Sequence, residues 1–206
     1  VSELVDTPHG PARVLSTGDG TAGTLVLGHG AGGGAESPDL AALTEEAAGA
    51  GWLVHRVDQP WRVAGKRIAP APPRLDEAWG AVLDRLRITD RLPGRLVLGG
   101  RSAGARVACR TSAAEGAAGV LALSFPLHPP GRPERTRAPE LTGVGVPIVV
   151  VQGETDAFGR PQDVATVLAG SSRASVYAVP GDHSLKKNPG LAAAAALSWL
   201  TEVLPA

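Results

Sequence analysis

Leu96-Val97-Leu98-Gly99-Gly100-Arg101-Ser102-Ala103-Gly104 is the stretch on which the reading of this chain turns. Its first three residues form an apolar run of the kind that makes a buried strand. Ala103-Gly104-Ala105-Arg106-Val107-Ala108 then has the composition of a helix start. Between them Gly100, Ser102 and Gly104 spell G-x-S-x-G, which sets a serine on a sharp strand-to-helix turn. A turn that tight holds the serine at strained backbone angles. Side chains two residues to either side would strike neighbouring backbone, so glycine suits both places. The Ser102 hydroxyl is expected above the sheet edge, at the N-terminus of the helix. The chain holds 27 Gly, so taken alone the pattern also suits an ordinary glycine-rich turn with a solvated serine. Its weight rests on the residues around it.

Outward from this stretch, strand and helix signals alternate. Upstream, Ala12–Ser16, Thr24–Leu27 and Trp52–Val57 read as strands. Ser37 is a candidate N-cap with Pro38 at the first helical position, opening a helix to about Gly49. Asp58-Gln59-Pro60-Trp61 leads into a proline-rich loop. After it Leu75, Trp79, Val82 and Leu86 recur at the spacing of an amphipathic helix. Downstream, Val120–Leu123, Pro147–Gly153 and Ala174–Val179 read as strands, separated by a proline-dense connection (Phe125–Val146) and by a helix marked by Val164, Val167 and Leu168. Asn188-Pro189 is expected to cap a last helix whose Leu197, Leu200 and Leu204 share a face. Nearly continuous apolar strands alternating with helices predict an α/β fold, a mostly parallel central sheet with helices on both faces. The whole chain, 1–206, is expected to be a single domain, with no segment long enough for a large cap domain. In such sheets ligands gather at the carboxyl ends of the strands.

Four groups fall at those ends: the His29 loop, the Ser102 turn, the Asp156 loop and the His183 loop. A serine hydroxyl needs a hydrogen-bonded base to attack near neutral pH. Among five histidines, His183 in Gly181-Asp182-His183-Ser184 follows the last strand and comes after Ser102 in the chain, the order that G-x-S-x-G proteins use. His128 is the reserve. Asp156, just after the most apolar strand, is the acid expected to orient the imidazole, with Glu154 the alternative; Asp182 is too near His183 for that task. The oxyanion requires two backbone N–H groups, expected from Ala103 and from Ala31 in His29-Gly30-Ala31-Gly32-Gly33, with Gly32 next in line. The glycine loop fits neither the Walker pattern nor G-x-G-x-x-G with an acidic ribose partner, which argues against a phosphate cradle. The pocket is expected to be shallow and open, lined by His29, Gly32, Trp61, Arg101, Leu127 and His128. Arg101 either braces the turn through a carboxylate or faces the substrate; bracing is the favoured reading.

Composition narrows the partners. Lys and Arg number 20 and so do Asp and Glu, so no net charge points to nucleic acid or to a membrane surface. Cys109 is the sole cysteine, excluding an internal disulfide and a cysteine-rich metal site, and it reads as a small buried residue. No apolar run reaches spanning length. Glu3 and Asp6 interrupt what would be a secretory leader, so a cytoplasmic monomer or homodimer is expected.

Several stretches together resemble an α/β-hydrolase-fold protein of the dienelactone-hydrolase-like kind. They are His29-Gly30-Ala31-Gly32-Gly33, Gly99-Gly100-Arg101-Ser102, Phe125-Pro126-Leu127-His128-Pro129-Pro130-Gly131, Gln152-Gly153-Glu154-Thr155-Asp156-Ala157-Phe158-Gly159 and Gly181-Asp182-His183-Ser184. More narrowly the chain is similar to the small family that holds the testis-expressed Tex protein and the regulatory subunit of the NSL complex. The arginine in the turn and the Pro-Leu-His-Pro-Pro segment are the more specific pieces. The resemblance implies a Ser102–Asp156–His183 triad and no cofactor and leaves the substrate open; with that triad, a small-molecule acyl substrate and no metal are expected. Ala103 and Ala105 depart from it, standing where Met and Gly are expected. Some relatives are subunits of complexes, which keeps a non-catalytic binding or scaffold role with an idle triad as the alternative.

Overall fold

Eight strands form one sheet in the computed structural model, which describes residues 1–203. In chain order the elements are β1 (Ser2–Val5), β2 (Ala12–Thr17), β3 (Gly23–Gly28), α1 (Pro38–Gly49), β4 (Trp52–Asp58), α2 (Pro60–Val63), α3 (Pro72–Ile88), β5 (Leu96–Arg101), α4 (Ala103–Thr111), β6 (Gly119–Leu123), α5 (Ala138–Thr142), β7 (Ile148–Gly153), α6 (Pro161–Leu168), β8 (Ala174–Val179) and α7 (Pro189–Val203). The strand order is β1-β2-β4-β3-β5-β6-β7-β8. β2 runs antiparallel to both β1 and β4, and every other pairing is parallel. This is the α/β-hydrolase fold. It carries no lid: the long connection after β6 holds only the five-residue α5.

The two-residue period of the strands divides the core. Val26, Leu98, Val120 and Val150 face one side, where they meet Leu75, Trp79, Val82 and Leu86 of α3, Val107 of α4 and Val164 of α6. Leu25, Leu27, Val97, Leu121 and Val149 face the other, against Leu40 and Leu43 of α1 and Trp199 and Leu200 of α7. Because both faces are covered, the central strands are buried at every position, which is why they read as unbroken apolar runs.

Some local expectations differ from the structure. β1 has no sequence signal, being a short edge strand with Glu3 in it that pairs only with β2. Ser37 does precede α1, but its hydroxyl makes no cap bond and is buried without a partner. The Asn188 side-chain amide donates to the Pro180 carbonyl at 3.4 Å. On α7 the core face is made by Ala192, Ala193, Ala196, Trp199 and Leu200. Leu197 is only half-buried, and Leu204 lies outside the described residues. Small alanines let α7 lie close to the sheet and to α1, so leucine spacing did not mark its inner face.

Candidate active site

The β5–α4 turn sets the geometry of the site. Ser102 has φ 53° and ψ −107°, a left-handed φ that only a constrained turn imposes on a residue with a side chain. The constraint comes from β3. A Cβ at Gly100 would stand 2.3 Å from the Gly28 carbonyl oxygen, and one at Gly104 would stand 2.2 Å from the same atom. Both glycines therefore let strand and helix close on the end of β3. The Ser102 N–H donates to the Leu123 carbonyl at 3.0 Å, which ties the turn to the end of β6.

His183 and Asp156 come to this turn from the loops after β8 and β7. Ser102 Oγ lies 2.9 Å from His183 Nε2, and His183 Nδ1 lies 2.8 Å from Asp156 Oδ2. Asp156 is buried and surrounded by donors: Gln152 Nε2 gives to Oδ2 at 2.9 Å and the Phe158 N–H to Oδ1 at 2.8 Å. That donor shell makes the carboxylate an acceptor, so the imidazole proton sits on Nδ1 and Nε2 is left to accept from the serine hydroxyl. Phe158 stacks on the His183 ring at a centroid distance of 4.1 Å, fixing its plane. Asp182, whose carboxyl is held below its usual range by hydrogen bonds from Ser184, bonds within its own turn and makes none to His183. Glu154 is exposed.

The loop after β3 faces the turn. Among the described residues no protein acceptor takes the N–H of Ala31, Gly32 or Ala103. Arg101 holds this loop. Its guanidinium is buried beneath Gly30 and Gly33, where added Cβ atoms would lie 3.2 Å from it. Its Nε stands 3.1 Å from Asp39 Oδ2 at the start of α1, an ion-pair contact whose angle falls short of a hydrogen bond. The Arg101 side chain thus links the serine turn, the glycine loop and α1, and it also borders the pocket.

That pocket, of 330 Å³, opens beside Ser102 and His183 and is lined by Ala31, Gly32, Arg101, Ala103, Arg106, Pro126, Arg137 and Phe158. Of the residues expected to meet substrate, Gly32 and Arg101 are there; His29, Trp61, Leu127 and His128 are not. His29 is buried, with Nδ1–H donating to the Gly30 carbonyl at 2.8 Å and Nε2 accepting the Gln59 N–H at 3.1 Å. Burial pushes its pKa below the ordinary imidazole value. Both ring nitrogens are thereby spent on shaping the loop. His29 and Trp61 instead border a narrow apolar slot behind the turn, with Leu75, Trp79 and Val107, and this slot touches Ala103 from its far side. Leu127 packs into the core against Gly159. His128 turns its Nδ1–H to the Pro129 carbonyl at 3.0 Å.

Sequence reasoning did not place Phe158, Arg137 or Gln152 in the site; the first two border the Ser102 pocket, and Gln152 lies behind Asp156. Gln152 is wholly buried, and its Nε2 faces three acceptors, Asp156 Oδ2, the Phe125 carbonyl at 3.1 Å and the Gly159 carbonyl at 2.8 Å. A polar residue next to the end of an otherwise apolar strand was the available signal.

Residues 21–199 match the family described as alpha/beta hydrolase domain. The chain belongs to that family. Solved structures of this alpha/beta hydrolase domain's fold agree over nearly its whole length. A lidless α/β serine hydrolase from Xanthomonas campestris superposes with a TM-score of 0.81 at 20% identity, covering 100% of this chain and 95% of its own. An α/β serine hydrolase homologue from Coxiella burnetii gives 0.80 at 18% identity, covering 97% of each chain. Est1E from Butyrivibrio proteoclasticus, solved with ferulic acid bound, gives 0.82 at 15% identity, covering 97% of this chain and 98% of its own. At these identities the likeness establishes the shared fold. Among the described residues no helix is long and apolar enough to cross a membrane.

Proposed function

We propose that this alpha/beta hydrolase domain is a serine hydrolase that cleaves a carboxylic ester, thioester or related acyl bond through Ser102, His183 and Asp156. The observation that carries the reading is the hydrogen-bonded chain from Ser102 Oγ through His183 to Asp156. Ser102 Oγ attacks the acyl carbonyl while His183 Nε2 takes its proton. The oxyanion accepts from the Ala31 and Ala103 N–H groups. Collapse breaks the scissile bond, the leaving group collects the proton from Nε2, and the acyl group stays on Ser102. Water then attacks the acyl-enzyme with the same imidazole as base, releasing the acid and restoring the serine. Asp156 orients the ring and stabilises the imidazolium. Arg101 acts through the loop it holds, as a positioning residue.

The quoted motifs favour a place beside the Tex and NSL-subunit branch, with the chain as one domain, a small acyl substrate in the cytoplasm and a monomer or homodimer as the working unit. Est1E, which shares this fold, has been solved with ferulic acid bound, a carboxylic acid of the kind that acyl-bond hydrolysis releases. The test is a panel of ester and thioester substrates of graded acyl length, with Ser102→Ala as the control. Turnover by the native protein that the variant lacks is the expected result. A native protein inert across the panel contradicts the reading and leaves the idle-triad scaffold.

A further inference from the structure

The charges around the Ser102 pocket do not cancel. Three arginines border it, Arg101, Arg106 and Arg137, and no aspartate or glutamate does. Arg101 stands against Asp39. Arg106 is held by Glu140 through two bonds, Nε to Oε2 at 2.8 Å and Nη2 to Oε1 at 2.6 Å. Arg110, behind them, shares Glu140 at 3.3 Å and takes Asp76 through a two-bond fork. In that cluster Arg106, Arg110 and Arg137 face only Glu140 and Asp76, leaving one positive charge over.

The surplus sits on Arg137. Among the described residues no carboxylate oxygen lies within 4.0 Å of its guanidinium, whereas Arg106 and Arg110 each hold one at 2.6 Å. Its Nη1 donates to the Pro126 carbonyl at 2.8 Å, which fixes the group at the pocket wall and leaves other N–H donors unused. The guanidinium is half-buried, and burial together with the neighbouring Arg106 lowers its pKa against the opposing pull of Glu140. A planar fork with spare donors is the form of side chain that recognises carboxylates.

We propose that Arg137 is the anion-binding group of this site and that the substrate carries a carboxylate remote from the scissile acyl bond. The inference rests on the hydrolase reading and deepens it. Phe158 and Pro126 supply an apolar wall for the atoms between the carboxylate and the reacting carbonyl.

The test compares two pairs of substrates. In 4-nitrophenyl hydrogen succinate against 4-nitrophenyl butyrate, the carboxylate is on the acyl side. In the butyryl ester of glycolic acid against that of methyl glycolate, it is on the alcohol side. A charge-assisted contact of this kind predicts a preference of roughly tenfold to a hundredfold in kcat/KM for the anionic member of one pair. The preference should shrink as ionic strength rises. In R137Q the ratio should collapse to within about twofold, R137K should keep part of it, and R132Q, at an exposed arginine outside the pocket, should keep all of it. Turnover with no preference in either pair, or a preference that survives R137Q, overturns the proposal while leaving the hydrolase reading intact. Should R137Q fail to fold, the native ratio and its salt dependence still decide. A native protein inert to all four esters contradicts the hydrolase reading itself.

Discussion

At the scale of single residues, the site depends on side chains that never meet substrate. Gln152 Nε2 lies behind the site, 2.9 Å from Asp156 Oδ2, and shares its two N–H groups among that carboxylate and the Phe125 and Gly159 carbonyls. Replacing it with leucine removes a donor from the carboxylate that orients His183 and leaves two carbonyls without their partner. Outer-shell partners of this type are worth about tenfold to a hundredfold in activity. Gln152→Leu should therefore lower kcat by that order with KM within about twofold of native, because Gln152 does not border the pocket. A fall in KM-dependent binding alone would contradict this placing. The Ser102, Asp156 and His183 positions were legible in the sequence because each follows an apolar run and because their order is fixed by the topology. The residues lining the pocket were less so. Leu127 and Trp61 are apolar and near strand ends, yet burial in the core competes with substrate contact for such side chains, and the core took both.

Elements explain how the turn is held. β3 ends at Gly28, whose carbonyl leaves no room for side chains at Gly100 and Gly104, and the loop that follows β3 folds over the Arg101 guanidinium. The sequence marked that loop as a source of oxyanion donors, Ala31 with Gly32 next; closeness to the buried Arg101 guanidinium gives the physical reason for glycine at Gly30 and Gly33. Arg101→Lys keeps the charge but not the planar fork that Gly30 and Gly33 cover. It should loosen the glycine loop relative to the serine turn and lower kcat by about tenfold or more, consistent with positioning errors near a reacting centre. Equal activity in Arg101→Lys would mean that charge alone, or neither property, matters at that position. The central strands were plain in the sequence as unbroken apolar runs, and α3 by its helical spacing of apolar residues. β1, α2 and α5 were not. They are four or five residues long, and their apolar content is too small to show a period.

For the whole molecule, two buried histidines tie stability to pH. Burial pushes the pKa of both His29 and His55 below the ordinary imidazole value of 6.5. His55 in β4 lies between the Ser16 hydroxyl and the Arg91 carbonyl, each at 2.8 Å. With folded values depressed, the unfolded chain binds protons first as pH falls. The stabilisation from keeping these rings neutral is complete above the unfolded value and is lost progressively below it. The urea midpoint should therefore drop between about pH 7 and pH 5. His55→Gln should flatten that slope even though it lowers stability overall. A midpoint independent of pH across that window would contradict the neutral assignment. Cys109, buried in α4 with its thiol pushed up to about 12, is inert packing and contributes nothing to this dependence. On the same scale the fold class was readable from alternation of apolar strands and helices, whereas the charge imbalance beside Ser102 was not. Arg106 and Arg110 come from α4, Asp76 from α3, Glu140 from α5 and Arg137 from the residue before it, and only the folded chain decides which of them pair.

The central claim is that Ser102 is an activated nucleophile, and it is tested most directly by labelling with a fluorophosphonate probe and locating the adduct by peptide mass. Each native chain should take one adduct, on Ser102. None should form in Ser102→Ala, and the labelling rate should be at least about a thousandfold lower in His183→Ala, since the pair acts as a unit. A folded native protein that takes no label, or takes it at another residue, would contradict the claim.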